Sequence, residues 1–277
     1  GGLDYVLEKI IRRVFLTRLM TPEQLKKLGA QHVKGLLLHG PPGCGKTMIA
    51  REIGRLVQAK EINILSGPEI FDKWLGESED NVRRLFANAE EDWKMYGPKS
   101  RLHIIVIDEI DAMCPRRSSA DNSNTKDSVV NQLLSKLDGV KAIDNFLLIG
   151  MTNRIQAIDP AVLRPGRLEV HVAVDAPTEQ GRLEILCLHT KAMRESGVLS
   201  KDDGTIGLVR IAKETEGYSG AELAGAVKAV TSIAIERCMD FSDLSLPPDD
   251  TKLRVDLSDF RKALKDIRSA GLDGAGN

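Results

Sequence analysis

The glycine-rich segment Gly40–Thr47 constrains the fold of this chain more than any other part of its sequence. It reads GPPGCGKT and matches the pattern G-x-x-x-x-G-K-[S/T]. It follows a strand-like apolar run, Gly35–His39, and precedes Lys46–Gln58, which has the composition of a helix. A loop in this setting wraps its backbone N–H groups around phosphate oxygens at a positive helix terminus. We therefore predict a phosphate-binding loop in which Lys46 contacts the β- and γ-phosphates of a nucleotide and Thr47 ligates Mg²⁺.

Short apolar runs recur along the first part of the chain, with helix-favouring stretches between them. These runs are Gly35–His39, Ile62–Leu65, Leu102–Ile107, Phe146–Met151 and Val170–Val174. Strands that alternate with helices are joined by right-handed crossovers and pair in parallel. The pattern therefore predicts an α/β fold on a mainly parallel sheet.

After Pro177, helical signals replace strand signals. Thr178 can cap one helix, and Ser219 with Glu222 has the spacing of a capping box that opens another. We therefore predict two subdomains. An α/β nucleotide-binding part covers residues 1–176, and a smaller helical part covers residues 177–277.

Composition narrows the class of function. The chain has 277 residues, of which 42% are apolar, and its 39 Lys and Arg residues balance 40 Asp and Glu residues. A near-neutral chain has no basic field to hold a nucleic-acid backbone, so we expect no nucleic-acid partner. No apolar run approaches the roughly 18 residues of a membrane span. The four cysteines are far apart and have no metal-binding spacing, which indicates reduced thiols in a cytoplasmic protein.

Two carboxylates, Asp108 and Glu109, follow the apolar run Leu102–Ile107. The carboxyl ends of parallel strands meet at one edge of a sheet, so we expect both acids beside the phosphate-binding loop. There Asp108 would hold Mg²⁺ through water, and Glu109 would polarise the attacking water. The alternative is a solvated acidic turn after a core strand.

Polar residues follow the later strands too. The amide of Asn153 could orient a water and respond to the γ-phosphate, although such an Asn is also a common turn residue. Arg164 and Arg167 lie on a turn fixed by Pro165 and Gly166. Arginines in such a position serve a neighbouring subunit's γ-phosphate or simply keep the surface soluble.

Taken in order, four motifs of the chain resemble those of the classical AAA ATPases. GPPGCGKT, IIVIDEIDA, GMTNR and LRPGRLE are similar to the Walker A, Walker B, first-sensor and arginine-finger motifs of that family. The resemblance covers nearly all of the chain and implies a five-stranded parallel sheet followed by a helical lid. GPPGCGKT with its cysteine, GESEDNVRRLFANAEE and VVNQLLSKLDGV are most similar to the first ATPase module of the vesicle-fusing ATPases, the N-ethylmaleimide-sensitive fusion factors.

The resemblance also implies a set of site residues for ATP or ADP with Mg²⁺. Its nucleotide contacts are Gly1, Gly2, Pro42, Gly43, Cys44, Gly45, Lys46, Thr47, Met48, His189, Gly220 and Ala221. Thr47 and Asp108 become the metal ligands. The catalytic residues become Glu109, Asn153, Arg164 and Arg167.

The resemblance also bears on His189 and Trp74. His189 corresponds to a histidine near the adenosine, whereas without the resemblance it would be interpreted as a half-buried core histidine. Trp74 falls in a predicted substrate pore loop, where the family usually has Tyr. That loop comprises Lys73, Trp74, Leu75 and Gly76.

The function that the resemblance implies is ATP-driven disassembly of SNARE complexes in vesicle fusion and membrane trafficking. The working form would be a hexamer that uses a SNAP adaptor and meets membranes only peripherally, through SNAREs. One alternative is a protein unfoldase of the valosin-containing or proteasomal kind. Another is a nucleotide-dependent assembly module without turnover, against which Glu109, Arg164 and Arg167 argue.

Overall fold

The computed structural model describes residues 2–72, 78–116, 124–138, 143–199, 207–240 and 247–269. Within these residues the strands are β1 (Gly35–His39), β2 (Glu61–Ser66), β3 (His103–Asp108), β4 (Phe146–Thr152) and β5 (Val170–Ala173). The helices of the first part are α1 (Asp4–Ile10), α2 (Pro22–Leu28), α3 (Lys46–Leu56), α4 (Gly67–Asp72), α5 (Ser78–Tyr96), α6 (Ile110–Met113) and α7 (Asn124–Asp138). Those of the second part are α8 (Glu179–His189), α9 (Lys191–Glu195), α10 (Leu208–Glu214), α11 (Gly220–Cys238) and α12 (Leu257–Ser269).

The strands form one parallel sheet in the order β2-β3-β4-β1-β5. β4 therefore lies between β1 and β3, and its register places Thr152 opposite His39. The carboxyl ends of these three central strands open on the same edge of the sheet. The predicted α/β fold with a five-stranded parallel sheet is confirmed.

Hydrophobic burial explains why the central strands are continuous apolar runs. β1, β3 and β4 are covered on both faces, and nearly all their residues are buried. On one face, Phe86 of α5 meets Phe146 of β4 edge to face, with ring centroids 5.1 Å apart. On the other face, Gly54 of α3 lies directly over Ile62 and Ile104. These contacts fix both layers of helices against the sheet.

A buried guanidinium joins the segment that precedes the sheet to the beginnings of two central strands. Arg18 donates to the carbonyl oxygens of Asp144, Val33 and Phe146 at 2.6, 2.7 and 2.8 Å. Burial lowers the pKa of Arg18 to about 10 despite the nearby Asp144 carboxylate. Arg18 therefore attaches the N-terminal segment to the starts of β1 and β4 through three backbone carbonyls. It is a buried contact and not a simple surface ion pair.

The chain divides into two compact units. One unit is Tyr5–Val174, and the other combines Gly1–Asp4 with Asp175–Asn277. The second unit is helical, with a core that includes Leu186, Leu223 and Phe260. Thr178 caps α8 by accepting from the N–H of Gly181 at 3.2 Å. The predicted capping box of Ser219 and Glu222 also opens α11, with both reciprocal hydrogen bonds present. No helix in the described residues has the length and apolarity to cross a bilayer.

Candidate nucleotide site

The loop between β1 and α3 has the backbone geometry of a phosphate cradle. Gly43 and Gly45 have φ values of 73° and 93°, which side chains rarely adopt. Gly45 is the N-cap of α3 and offers no side chain to cap the first turn of that helix, so its N–H groups are available to a ligand. A Cβ on Gly40 would lie 2.2 Å from the carbonyl oxygen of Val174, so only glycine fits where the loop begins. These features suit the binding of an anion at a helix N-terminus.

Lys46 connects the loop to the end of β4. Its Nζ donates to the carbonyl oxygens of Gly40 and Pro41 at 2.8 and 2.7 Å, and to Oδ1 of Asn153 at 2.7 Å. Burial lowers the pKa of this ammonium, and the nearby Cys44 and Asp108 partly oppose that effect. Three of the residues that the sequence predicted for one site, Lys46, Asp108 and Asn153, are therefore neighbours.

The end of β3 places Glu109 on a constrained turn. Its φ of 50° and ψ of 45° are left-handed, an uncommon conformation for a residue with a side chain. The N–H of Glu109 donates to Oδ1 of Asp108 at 2.9 Å, and Glu109 is the N-cap residue of α6. Strained residues of this kind cluster at functional sites.

Gly67, the first residue of α4, is a part of this turn that sequence reasoning missed. A Cβ on Gly67 would lie 2.5 Å from the carbonyl oxygen of Glu109 and 3.2 Å from that of Asp108. The start of α4 therefore packs directly on the backbone of the Asp108–Glu109 turn. The only signal in the sequence was a glycine immediately after a strand, which by itself indicates a turn.

The arginine turn lies at the opposite end of β1 from the loop. Gly166 has a φ of 84°, Arg164 is exposed, and Arg167 donates to the carbonyl oxygen of Ala161. A Cβ on Gly35, the first residue of β1, would lie 2.2 Å from the carbonyl oxygen of Arg167. At about 3.3 Å per residue, β1 alone puts roughly 13 Å between that contact and the start of the loop. The fold does not bring these arginines to the loop of their own chain.

Comparison with known proteins assigns the chain to a family. Residues 36–176 match the profile of the ATPase family associated with various cellular activities (AAA), and residues 207–246 match that of the AAA+ lid domain. This chain belongs to the AAA ATPase family. The prediction of an AAA ATPase with a helical lid is therefore confirmed.

Relatives of this AAA ATPase include proteins named for vesicle fusion. A vesicle-fusing ATPase of Caenorhabditis elegans is 50% identical over 274 residues, which are 98% of this chain and 33% of the relative. One from Arabidopsis thaliana is 48% identical over 271 residues, 98% of this chain and 36% of the relative. The vesicular-fusion protein SEC18 of Saccharomyces cerevisiae is 47% identical over 274 residues, which are 98% of this chain and 36% of the relative. The chain spans about one third of the length of these relatives, and the resemblance to vesicle-fusing ATPases is confirmed.

Other predicted nucleotide contacts of this AAA ATPase belong to the helical unit. The N–H of Gly2 donates to Oε2 of Glu184 on α8 at 2.9 Å. His189 ends α8 and is exposed, so its interpretation as a half-buried core histidine is wrong. Gly220 and Ala221 are the first residues of α11.

Five of the predicted positions lie outside the described residues. These are Gly1 and the pore-loop residues Lys73, Trp74, Leu75 and Gly76.

Among the described residues, no group of three or more His, Cys, Asp or Glu side chains could hold a metal ion. None of the four cysteines, all of which lie within the described residues, is in a disulfide, and Cys44, Cys114 and Cys238 are buried.

Proposed function

We propose that this AAA ATPase module hydrolyses Mg²⁺-ATP at the carboxyl ends of β1, β3 and β4, and that it drives SNARE complex disassembly as part of a hexameric ring. The observation that carries the first part is the 2.7 Å hydrogen bond from Lys46 to Asn153. This bond joins the phosphate cradle to the end of β4, the strand that pairs with β3, and Glu109 follows β3. The second part rests on relatives that are named as vesicle-fusing ATPases and align with 98% of this chain.

The cradle binds the phosphates of ATP. Its contacts come from the backbone and side chains of Pro42, Gly43, Cys44, Gly45, Lys46, Thr47 and Met48. The left-handed glycines present N–H groups, and the Lys46 ammonium supplies the positive charge. The family resemblance adds Gly1, Gly2, His189, Gly220 and Ala221 as proposed contacts to the adenosine.

The residues present suit Mg²⁺, which prefers oxygen ligands and usually keeps several waters. Thr47 offers a hydroxyl in the first turn of α3, and Asp108 offers a carboxylate close enough to Lys46 to affect its pKa. These two residues would hold the ion. When bound, Mg²⁺ neutralises part of the phosphate charge.

Glu109 acts as the general base for hydrolysis. It takes a proton from the attacking water, whose oxygen forms a bond to the γ-phosphorus while the bond to the β,γ-bridging oxygen breaks. ADP and inorganic phosphate are the products. The Asn153 amide orients that water and responds to the presence of the γ-phosphate.

Arg164 and Arg167 complete the site of a neighbouring subunit. Their turn lies beside the amino end of β1, whereas the cradle follows its carboxyl end, so a chain's own γ-phosphate is a poor target for them. In a closed ring of identical subunits, each arginine turn can meet the next cradle. Such arginines contribute about 10³–10⁵ in rate.

At the scale of the working protein, residues 1–176 form the α/β part of each ring subunit and residues 177–277 form its lid. A SNAP adaptor brings the SNARE complex to the ring, where the pore loop Lys73–Gly76 grips it. The protein acts in the cytoplasm and meets trafficking membranes only through SNAREs, with no nucleic-acid partner.

The test uses the full-length protein that carries this module, with SNAP adaptor, fluorescent SNARE complexes and ATP. We expect disassembly that requires ATP and is lost in the Lys46→Ala variant. A parallel assay supplies a ubiquitylated, folded substrate instead of SNAREs. If the ubiquitylated substrate is unfolded while the SNARE complexes of the first assay stay intact, the unfoldase alternative is favoured. If the protein binds nucleotide without turning it over, the assembly module is favoured.

A further inference from the structure

The side chain of Thr152, the last residue of β4, forms a buried hydrogen-bond centre immediately before Asn153. Thr152 is 1% exposed. Its Oγ1 donates to Oδ1 of Asp111 at 2.7 Å and accepts from the backbone N–H of Arg154 at 2.9 Å. The hydrogen bond from Arg154 closes a short turn over Thr152, Asn153 and Arg154, with Asn153 in the middle.

Asp111 supplies the other half of the contact. It lies on α6, two residues after Glu109, and its side chain is 9% exposed. Its second oxygen accepts from the guanidinium of Arg154 at 3.1 Å, but the Arg154 side chain is 75% exposed. Exposed ion pairs contribute little, whereas a buried hydrogen bond to a carboxylate is strong and directional. The Thr152–Asp111 hydrogen bond is therefore the important contact of the three.

This contact ties together two strand ends that both carry proposed site residues. Asp111 is in the first turn of α6, two residues after Glu109, and Thr152 ends β4 immediately before Asn153. The other side of Asn153 is fixed by Lys46, whose Nζ donates to its Oδ1. Two sets of contacts therefore hold Asn153. Lys46 of the cradle binds its side-chain amide, and Asp111 binds the side chains of its two neighbours, Thr152 and Arg154.

We infer that Thr152 and Asp111 are positioning residues for ATP hydrolysis and that they act through Asn153. Their hydrogen bond fixes the backbone of Asn153 relative to the Glu109 turn, so that the amide meets the attacking water in one geometry. This inference rests on the proposed function, because it assigns Asn153 a place in hydrolysis. Positioning of this kind affects the rate of the chemical step more than the affinity for ATP, because small displacements of reacting groups have large effects on rate.

The experiment compares Thr152→Val with Thr152→Ser in the full chain, at chain concentrations where the specific turnover of the parent has reached its plateau. Valine keeps the shape of threonine but removes the hydroxyl, whereas serine keeps the hydroxyl. We expect Thr152→Val to lower kcat about tenfold or more, with the Kd for ATP unchanged within about twofold, and Thr152→Ser to keep most of the parental kcat. Asp111→Asn, which removes the charge that strengthens the bond, should lower kcat as well.

A matched control separates positioning from general loss of stability. Thr215 is also fully buried, and its Oγ1 donates to the carbonyl oxygen of Ile211 at 2.7 Å in the helical unit. Thr215→Val removes a comparable buried hydroxyl far along the chain from Asn153 and should leave kcat unchanged. Thermal unfolding of both valine variants reports the stability effect directly.

A double variant decides whether the effect passes through Asn153. If it does, adding Thr152→Val to Asn153→Ala lowers kcat no further than Asn153→Ala alone. Independent, additive losses would overturn the inference, as would a parental kcat in Thr152→Val. If the parent has no turnover, the proposed function fails and the inference fails with it. If the parent turns over ATP and Asn153→Ala does so at the same rate, ATP hydrolysis stands, but the role of Asn153 fails and the inference fails with that role.

Discussion

Cys44 shows at the scale of a single residue how burial competes with an activating environment. It lies next to the N-terminus of α3 and near the Lys46 ammonium, two features that are common around reactive cysteines. A thiol in this position would be expected to react quickly with electrophiles. In the structure, however, Cys44 is 6% exposed, and its Sγ lies 3.7 Å from the carbonyl oxygen of Pro42. In this conformation of the loop the thiol is therefore largely shielded from reagents.

We expect the labelling of Cys44 by a maleimide to depend on nucleotide. ATP that holds the loop closed should slow labelling several-fold, and labelling without ATP should abolish subsequent ATP binding. Cys187 is half-buried and serves as an internal control whose labelling should not respond to ATP. Burial raises the pKa of Cys114 to about 12, so this thiol should stay unlabelled. Peptide mapping after timed labelling gives all three rates, and a Cys44 rate indifferent to ATP would contradict the expectation.

The sequence predicted those site residues whose chemistry is written into a local motif. Lys46, Asp108 and Glu109 each follow an apolar strand in a recognisable order, so their neighbourhood could be inferred before the structure. Gly67 and Asp111 could not be found in this way. Their roles depend on which backbone segments meet across the sheet, and no local pattern specifies that.

At the scale of elements, the position of β4 between β1 and β3 determines which loops meet. The apolar runs predicted all five strands of the sheet to within one residue at each end, because central parallel strands are buried on both faces. The order of those strands was not predicted, since it depends on crossover connections that no apolar run encodes. That order explains why Asn153 lies beside Lys46.

Contact between α4 and the Asp108–Glu109 turn leads to a prediction about Gly67. In Gly67→Ala, the added methyl group would overlap the carbonyl oxygen of Glu109, so the turn must shift. We expect kcat to fall about tenfold or more, with a smaller effect on the Kd for ATP. Gly225→Ala is the control, because a Cβ at Gly225 in α11 meets nothing within 4 Å. Equal kcat values for the parent and Gly67→Ala would show that the turn tolerates the shift.

At the other end of the sheet, a buried carboxylate joins α5 to two strands. Asp92 is 7% exposed and accepts from Lys60 Nζ at 2.6 and 2.7 Å and from His103 Nε2 at 2.7 Å. The hydrogen bonds from Lys60 and then His103 lower the pKa of Asp92. Its folded-state pKa is therefore below the unfolded value of about 3.9. The stabilisation is present above that value and is lost as the pH falls through the folded-state pKa.

We therefore expect Asp92→Asn to lower the free energy of unfolding at pH 7, and the difference from the parent to shrink below about pH 4. Urea unfolding of both proteins across this range measures the difference. Glu91→Gln changes an exposed neighbour on the same helix and should have little effect at either pH. A difference between Asp92→Asn and the parent that stays constant down to pH 2 would contradict the role assigned to ionised Asp92.

At the scale of the whole molecule, the fold separates the arginine turn of each chain from its own cradle by the length of β1. We expect hydrolysis to require a neighbouring subunit and therefore to depend on protein concentration. The test mixes an Arg164→Ala/Arg167→Ala chain with a Lys46→Ala chain, each of which should be inactive alone. Turnover should reappear in the mixture, because intact arginines meet intact cradles. The matched control mixes Lys46→Ala with Glu109→Gln and should stay inactive, because in this pair every chain lacks either the cradle lysine or the general base. Parental activity of the arginine variant alone would refute action on a neighbour.

In the proposed mechanism, Glu109 activates water in a site that binds ATP without its help. The most direct measurement is the ATP affinity and the steady-state phosphate release of Glu109→Gln beside those of the parent, with Glu91→Gln as the control. We predict a Kd for ATP within about threefold of the parent and phosphate release that falls by about 10² or more, because the amide fills the space of the carboxylate without its basicity. Phosphate release by Glu109→Gln at the parental rate would show that Glu109 is not the general base.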